Sequence, residues 1–208
     1  MFGLSRKKAF DLAAIDRGHH QVSYKGVPAV KCPFDYVLYQ MLLSELQPDL
    51  VIEIGTNRGG AALYLADLLS LLGNGVLHAI DLPSNQENEA LHQHPRIRVF
   101  KQGYEGYDTK EISGFKKVLV IEDGSHMYED VLATLHKFAP LVSPGSYMIV
   151  EDGIVDDLGL AKQYNGGPQR AIREFLATNR QFSIDRRWCD FFGHNATFNV
   201  DGYLKRME

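Results

Sequence analysis

Cysteine is scarce: Cys32 and Cys189 are the only two in 208 residues, and they form no C-x-x-C pair. That excludes a disulfide framework and a cysteine-ligated zinc or redox site, and it makes a reducing cytoplasm the expected location. Long apolar runs are also missing. The richest, around residues 63–72 and 118–121, fall far short of the roughly 20 residues a membrane helix requires, and residues 1–10 hold no continuous apolar signal core. No membrane partner is expected. Positive charge is nowhere concentrated. Lys and Arg total 22 against 26 Asp and Glu, a net charge of −4, and the pairs Lys7-Lys8, Lys116-Lys117 and Arg186-Arg187 are scattered. A nucleic-acid surface needs a clustered basic face, so no nucleic-acid partner is expected.

The remaining composition is ordinary for a globular chain, 45% hydrophobic and 23% charged. At roughly 150 residues per domain this favours one domain over residues 1–208. Residues 1–48 read as an N-terminal helical segment, with helices expected over 7–17 and 34–46, and residues 49–208 as the core. There, apolar runs ending in an acid recur: Leu50-Val51-Ile52-Glu53, Val76 to Ile80-Asp81, Val118 to Glu122-Asp123, and Tyr147 to Glu151-Asp152. Segments with apolar residues at three- and four-residue spacing, such as 61–72 and 128–138, lie between them. Near-continuous apolar strands alternating with helices predict an α/β fold, a mostly parallel sheet with helices on both faces. After a helix at 169–178, residues 182–187 and 197–205 read as adjacent strands with a turn at Gly193-His194-Asn195, which predicts an antiparallel pairing at that edge.

Two constellations carry chemistry. The first is Glu53-Ile54-Gly55-Thr56-Asn57-Arg58-Gly59-Gly60, between a strand and a helix. Its glycines permit a tight turn and close approach of backbone to a ligand, and the helix start offers free N–H groups. The spacing is not the G-x-G-x-x-G of dinucleotide binders, and Glu53 would repel a pyrophosphate but suits an ammonium group. Asp81, ending the second strand, is placed to accept both hydroxyls of a ribose. Ribose plus amino acid points to S-adenosyl-L-methionine, for which Glu53, Gly55, Thr56, Asn57, Gly59, Gly60, Asp81 and Asp123 are the candidate residues. Gly103 and Tyr104, after the third strand, and Lys31 are further candidates near that ligand. The plain alternative is a strand-to-helix turn with a capping acid.

The second constellation is Asp123, Glu151 and Asp152, all at C-terminal strand ends, where open α/β sheets bind ligands. Three converging carboxylates repel one another unless a cation holds them, and all-oxygen ligation selects a hard ion, most naturally Mg2+. Asp123 or Asp152 taken alone reads equally as a helix cap. His126, three residues after Asp123, is the candidate base, able to take a proton from a metal-bound hydroxyl. Vicinal hydroxyls chelate well, so a glycoside or polyol is the expected small-molecule substrate. The glycine-bearing segment 153–168 reads either as a lid over the acceptor or as a plain loop.

Lys31-Cys32-Pro33-Phe34-Asp35, residues 51–60, residues 118–126, Pro144-Gly145-Ser146, Glu151-Asp152-Gly153 and Gly202 to Arg206 together resemble the cephalosporin hydroxylase/rhamnosyl O-methyltransferase family over about residues 26–206. The resemblance implies a Rossmann-like class I methyltransferase fold with a seven-stranded sheet whose last strand is antiparallel. It also implies an S-adenosylmethionine- and Mg2+-dependent O-methyltransferase related to macrolide-sugar enzymes, with Asp123, Glu151 and Asp152 on the metal, His126 as base, and self-association common among relatives. Where the family pattern reads Asp-Ser-Asp-His, this chain has Asp123-Gly124-Ser125-His126. The Asp-to-His spacing survives, so the change bears on substrate preference more than on the metal. The family name keeps a metal-dependent hydroxylase as an alternative, although an iron oxygenase wants two histidines and one carboxylate. A nicotinamide oxidoreductase and a non-catalytic binding protein on the same fold complete the alternatives.

Overall fold

The structure is a computed structural model that describes residues 11–83 and 87–207. The first helix, α1 (Leu12–His19), is capped by Asp11, whose side chain accepts from the Ala13 N–H. The helix expected over 7–17 thus starts later and runs further, and residues 7–10 lie outside the described residues. A two-stranded hairpin of β1 (Ser23–Tyr24) and β2 (Val27–Pro28) leads into α2 (Pro33–Leu46). Pro33 opens α2 where a missing N–H costs nothing.

The core alternates as the apolar runs require: β3 (Leu50–Ile54), α3 (Gly60–Leu72), β4 (Val76–Ile80), α4 (Ala90–Gln93), β5 (Ile97–Phe100), α5 (Gly103–Gly106), β6 (Val118–Glu122), α6 (Tyr128–Phe138) and β7 (Tyr147–Val150). Then come α7 (Gly167–Thr178), β8 (Phe182–Ile184), α8 (Arg186–Cys189) and β9 (Tyr203–Arg206). The seven-stranded sheet has the order β5-β4-β3-β6-β7-β9-β8. Its pairs from β5 to β7 are parallel, and β9 runs antiparallel between β7 and β8.

Both faces of the sheet are covered, which is why β3, β6 and β7 are apolar until near their C-terminal ends, with a buried His78 the polar exception inside β4. Along β6, Leu119 and Ile121 enter the core under α2 and α3, while Val118 and Val120 enter the core under α6 and α7. The period of two follows from the pleat. Only at the C-terminal ends do charged side chains interrupt these runs, and backbone bonds carry the pairing one residue further there. Asp123 N–H donates to the Ile54 carbonyl at 2.8 Å, Glu151 N–H to the Glu122 carbonyl at 2.9 Å, and Asp81 N–H to the Phe100 carbonyl at 2.9 Å. The acids are therefore held by sheet geometry.

The tail departs from expectation in two places. The strand expected to 187 stops at Ile184, because Asp185 caps α8 by accepting from Arg187 N–H at 3.0 Å. The strand expected over 197–205 is confined to β9. Thr197 and Phe198 instead serve Asp35, which accepts from the Thr197 hydroxyl and, at 3.0 Å, from Phe198 N–H. Among the described residues no helix is long and apolar enough to cross a membrane.

Candidate functional site

A cavity of about 400 Å3 opens at the C-terminal ends of β3, β4 and β6. Gly55, Asn57 and Asp81 form part of its wall, with Gly103, Tyr104 and Asp123. Gly55 has φ +91, and a Cβ there would sit 1.9 Å from the Asp123 carbonyl oxygen, so glycine is what lets the turn after β3 press against the end of β6. Asp81 is fixed by two backbone donors, Asn57 N–H at 2.6 Å and Leu82 N–H at 2.7 Å.

Ile54 lines it too, whereas Glu53, Thr56, Gly59 and Gly60 lie off this wall. Gly59 and Gly60 are needed for packing: a Cβ on the first would strike Leu91 and on the second the backbone of Val27 and Pro28. Thr56 is buried, and so is Glu53, whose Oε1 is 4.0 Å from Lys31 Nζ. Burial, with Asp123 and Glu151 adding to it and Lys31 opposing, pushes the Glu53 carboxyl up to about 8.

The acid cluster divides in two. Asp123, His126 and Asp152 each offer a ligand atom within 4.8 Å of the others. His126 Nε2 is 3.3 Å from Asp152 Oδ2, and the two side chains are 22% and 28% exposed. Both residues have left-handed backbones, φ 59 and φ 55. Such a conformation costs about 1 kcal/mol or more outside glycine, so the strand ends bear strain to aim these side chains. Positive φ alone is no marker here, because turn residues such as Lys25 and Gln47 share it. Glu151 belongs to the other half. Its Oε1 accepts from Lys31 Nζ at 2.6 Å and from the Tyr39 hydroxyl at 2.6 Å, while Lys31 also donates to Asp123 Oδ2 at 2.9 Å.

Electrostatics follow this division. Burial raises the pKa of Asp123, Glu151 and Asp152, and the neighbouring carboxylates raise it further. Burial alone would lower Lys31, yet Asp123, Glu151 and Glu53 outweigh it and hold the ammonium well above its ordinary value. His126 behaves alike: burial opposes its charge, but Asp152, Asp123 and Glu122 raise its pKa overall. Glu122 is buried on the cavity wall, pushed up to about 8 first by burial. Its Oε2 and the Nδ1 of His126 are buried with no hydrogen-bond partner among the described residues.

Residues 17–207 match the family described as Rhamnosyl O-methyltransferase/CmcI. The chain belongs to this family. It is 30% identical over 172 residues to the Rhamnosyl O-methyltransferase of Mycobacterium tuberculosis, an alignment covering 74% of this chain and 66% of that protein. The chain thus spans slightly under two thirds of the curated relatives it first matches. Its fold is similar to that of CmcI with SAH, at a TM-score of 0.67 and 18% identity, covering 99% of this chain and 96% of the other. CmcI with Mg and SAM gives a TM-score of 0.65 and 21% identity over 97% and 82%.

In this member of the Rhamnosyl O-methyltransferase/CmcI family, sequence reasoning missed Tyr39, Glu122 and Asp130. Asp130 accepts from the Ser125 hydroxyl and, at 3.4 Å, from Tyr104. Glu122 had a visible signal, an acid closing an apolar run beside Asp123. Tyr39 had none, because a tyrosine within an apolar helix reads as core. The segment 153–168, read as lid or loop, starts anchored: Gly153–Val155 is a buried 3-10 turn, and a Gly153 Cβ would meet the Val200 carbonyl oxygen at 2.3 Å. Further along, the Tyr164 ring stands edge-on to His126 at 5.8 Å. A second metal-type cluster, Asp16, His19 and His20, lies at the end of α1, where helical spacing alone brings the three together.

Proposed function

We propose that this family member transfers the methyl group of S-adenosyl-L-methionine to a hydroxyl of a sugar or similar polyol on a small molecule, with Mg2+ as second cofactor. One observation carries this reading: Asp81 and the cluster of Asp123, His126 and Asp152 lie on the walls of a single cavity of about 400 Å3. That volume suits a cofactor-sized ligand. The name of the mycobacterial relative and the CmcI structures with SAH and with Mg and SAM support it.

The residues fit both groups. Asp81, pinned by two N–H donors, presents a carboxylate of fixed orientation, as recognition of vicinal ribose hydroxyls requires. Asp123 and Asp152 form an oxygen-rich pair suited to a hard divalent ion, and the unpartnered Glu122 Oε2 and His126 Nδ1 mark polar capacity left for a ligand. Mg2+ bound at this pair would lower the pKa of an acceptor hydroxyl and offset the carboxylates' pull on the imidazolium. His126 Nε2, 3.3 Å from Asp152 Oδ2 on the cavity wall, would take the hydroxyl proton. The Gly55 turn and Asp81 orient the donor so that its methyl lies in line with the acceptor oxygen, an alignment worth several kcal/mol.

Incubation of the chain with S-adenosyl-L-methionine, Mg2+ and a panel of glycosides, read by mass spectrometry, is expected to yield one added methyl per S-adenosylhomocysteine, with or without oxygen, and no product in EDTA. Calorimetry that detects no binding of the methyl donor would overturn the reading. Product that requires oxygen would favour the hydroxylase instead.

A further inference from the structure

The segment between β7 and α7 is bonded along its length. Leu160 N–H donates to the Val155 carbonyl at 2.8 Å, Gln163 N–H to the Leu160 carbonyl at 2.9 Å and Gly166 N–H to the Ala161 carbonyl at 2.7 Å. Its end is fastened to two helices through one atom. The Tyr164 carbonyl accepts from the N–H of Tyr128, the first residue of α6, at 3.1 Å and from that of Gly167, the first residue of α7, at 2.9 Å. Asn165 adds a side-chain bond to Glu129, and its carbonyl accepts from Arg170 at 2.9 Å. Asn165, Gly166 and Gly167 have φ of 54, 90 and 53, so the chain reverses sharply after Tyr164. A Cβ on Gly167 would lie 3.5 Å from Tyr164 Cβ and 3.6 Å from the His126 carbonyl oxygen, which sets Tyr164 and His126 side by side.

On this fixed base stands an aromatic ring. Its centroid is 5.8 Å from that of His126, with the two planes at 81°. Tyr164 is half-buried, and among the described residues its hydroxyl has no hydrogen-bond partner. The neighbouring tyrosines are committed elsewhere: Tyr128 donates to Glu174 at 2.6 Å and lies under Arg170, and Tyr104 donates to Asp130 at 3.4 Å. Tyr164 is also no part of the wall of the cavity that holds Asp81 and Gly55. An aromatic face beside the candidate base, off the surface assigned to the methyl donor, is what a second ligand would meet.

We propose that Tyr164 is an acceptor-binding residue: its ring supports the C–H face of a sugar ring whose hydroxyl meets His126, so that cyclic polyols are selected over open-chain ones. The proposal rests on the reading of a polyol acceptor at His126. A pyranose gathers polarised C–H bonds on a face while its hydroxyls point outward, and the negative face of an aromatic ring attracts those C–H groups as well as covering them. An open-chain polyol has no such face and loses rotamer freedom when it is held. The bonds that fix Tyr164 to α6 and α7 lower the ordering cost on the protein's side.

Saturation-transfer NMR reads acceptor binding without turnover. Methyl glycosides of the hexoses and 6-deoxyhexoses, with glycerol as the ring-free polyol, are offered to the chain in the presence of S-adenosylhomocysteine and Mg2+. The wild-type chain is expected to saturate the C–H protons of one sugar face in at least one methyl glycoside and to bind glycerol more weakly. Tyr164→Leu, which keeps apolar bulk without the ring, is expected to weaken that glycoside about tenfold, the upper range for one aromatic contact. Tyr164→Phe is expected to stay within about threefold, because only one neutral hydrogen bond is removed. Calorimetric affinity for S-adenosylhomocysteine, and affinity for Mn2+ as a paramagnetic stand-in for Mg2+, are expected to be equal in all three chains.

Equal glycoside binding by Tyr164→Leu overturns the proposal, as does a parallel loss of S-adenosylhomocysteine affinity, the mark of a merely structural tyrosine. If Tyr164→Leu does not fold, the wild-type pattern decides: saturation spread evenly over both sugar faces, or glycerol bound as tightly as the glycoside, overturns the platform. A wild-type chain that binds no glycoside overturns it too, whereas the methyl-donor calorimetry alone decides the methyltransferase reading.

Discussion

Glu151 and Asp152 are neighbours in the chain and opposites in setting. The Glu151 side chain is 5% exposed and bonded to Lys31 and to Tyr39 of α2. The Asp152 side chain is 28% exposed and faces a histidine across 3.3 Å, in a half that borders the cavity. Carboxylates buried in the first half are compensated within the protein, as buried charge must be. Those in the second, Asp123 and Asp152, lie on the cavity wall. The two settings meet at Lys31, whose Nζ donates to Glu151 Oε1 at 2.6 Å and to Asp123 Oδ2 at 2.9 Å.

The largest effect expected falls on the cavity half. Asp123→Ala removes an oxygen from the proposed ion site and a partner from Lys31, so ion-dependent methyl transfer should be lost in the mass-spectrometric assay, and wild-type turnover would reject the metal role. Next is His126→Ala, for which loss of a general base predicts about a 10²- to 10⁴-fold slower rate, with Mn2+ still bound. Preserved rate with preserved binding would remove the base and leave only the acids in that half. Asp81→Ala should weaken the methyl donor by about tenfold to a hundredfold in calorimetry, the scale of one hydrogen bond to a charged group, without changing Mn2+ affinity. Equal donor affinity would break the link between the cavity and a ribose.

A site outside both halves provides a control. His78 is fully buried, with Nδ1 2.7 Å from the Tyr107 hydroxyl, and burial, helped by Arg98, lowers its pKa from 6.5 to about 4. Between those values the unfolded chain takes up a proton that the folded chain refuses, so stability falls as pH drops from about 6.5 to about 4 and this contribution levels off below. His78→Asn should flatten that part of the curve of urea midpoint against pH; an unchanged slope would assign the acid sensitivity elsewhere. Smallest is Tyr39→Phe, which strips one donor from Glu151 and should cost about 1–2 kcal/mol in urea unfolding while leaving Mn2+ affinity near wild type. A large loss of affinity would show that the two halves do not act apart.

The strand ends could be read from the chain because a strand covered on both faces must be apolar until it leaves the sheet, so each run of Val, Ile and Leu stops at a marked residue. Asp81, Asp123, Glu151 and Asp152 were found that way. The tail was harder. Asp185 is a helix-capping acid that local pattern alone could have revealed, whereas Thr197 and Phe198 leave the strand conformation to satisfy Asp35, a partner far away in sequence. Gly59 and Gly60 showed a need for small residues, but the turn pattern does not distinguish space kept for a ligand from space kept for Leu91 and β2.

By itself the sequence determined the alternation of strand and helix, the sheet edge at which the acids collect and the Asp123-to-His126 spacing, since these depend on residues close together in the chain. Tertiary structure alone decided which acids share a cation. Lys31 reaches Glu53, Asp123 and Glu151 because its Nζ stands where the C-terminal ends of β3, β6 and β7 meet, and Coulomb energy depends on distance in space, not on position along the chain.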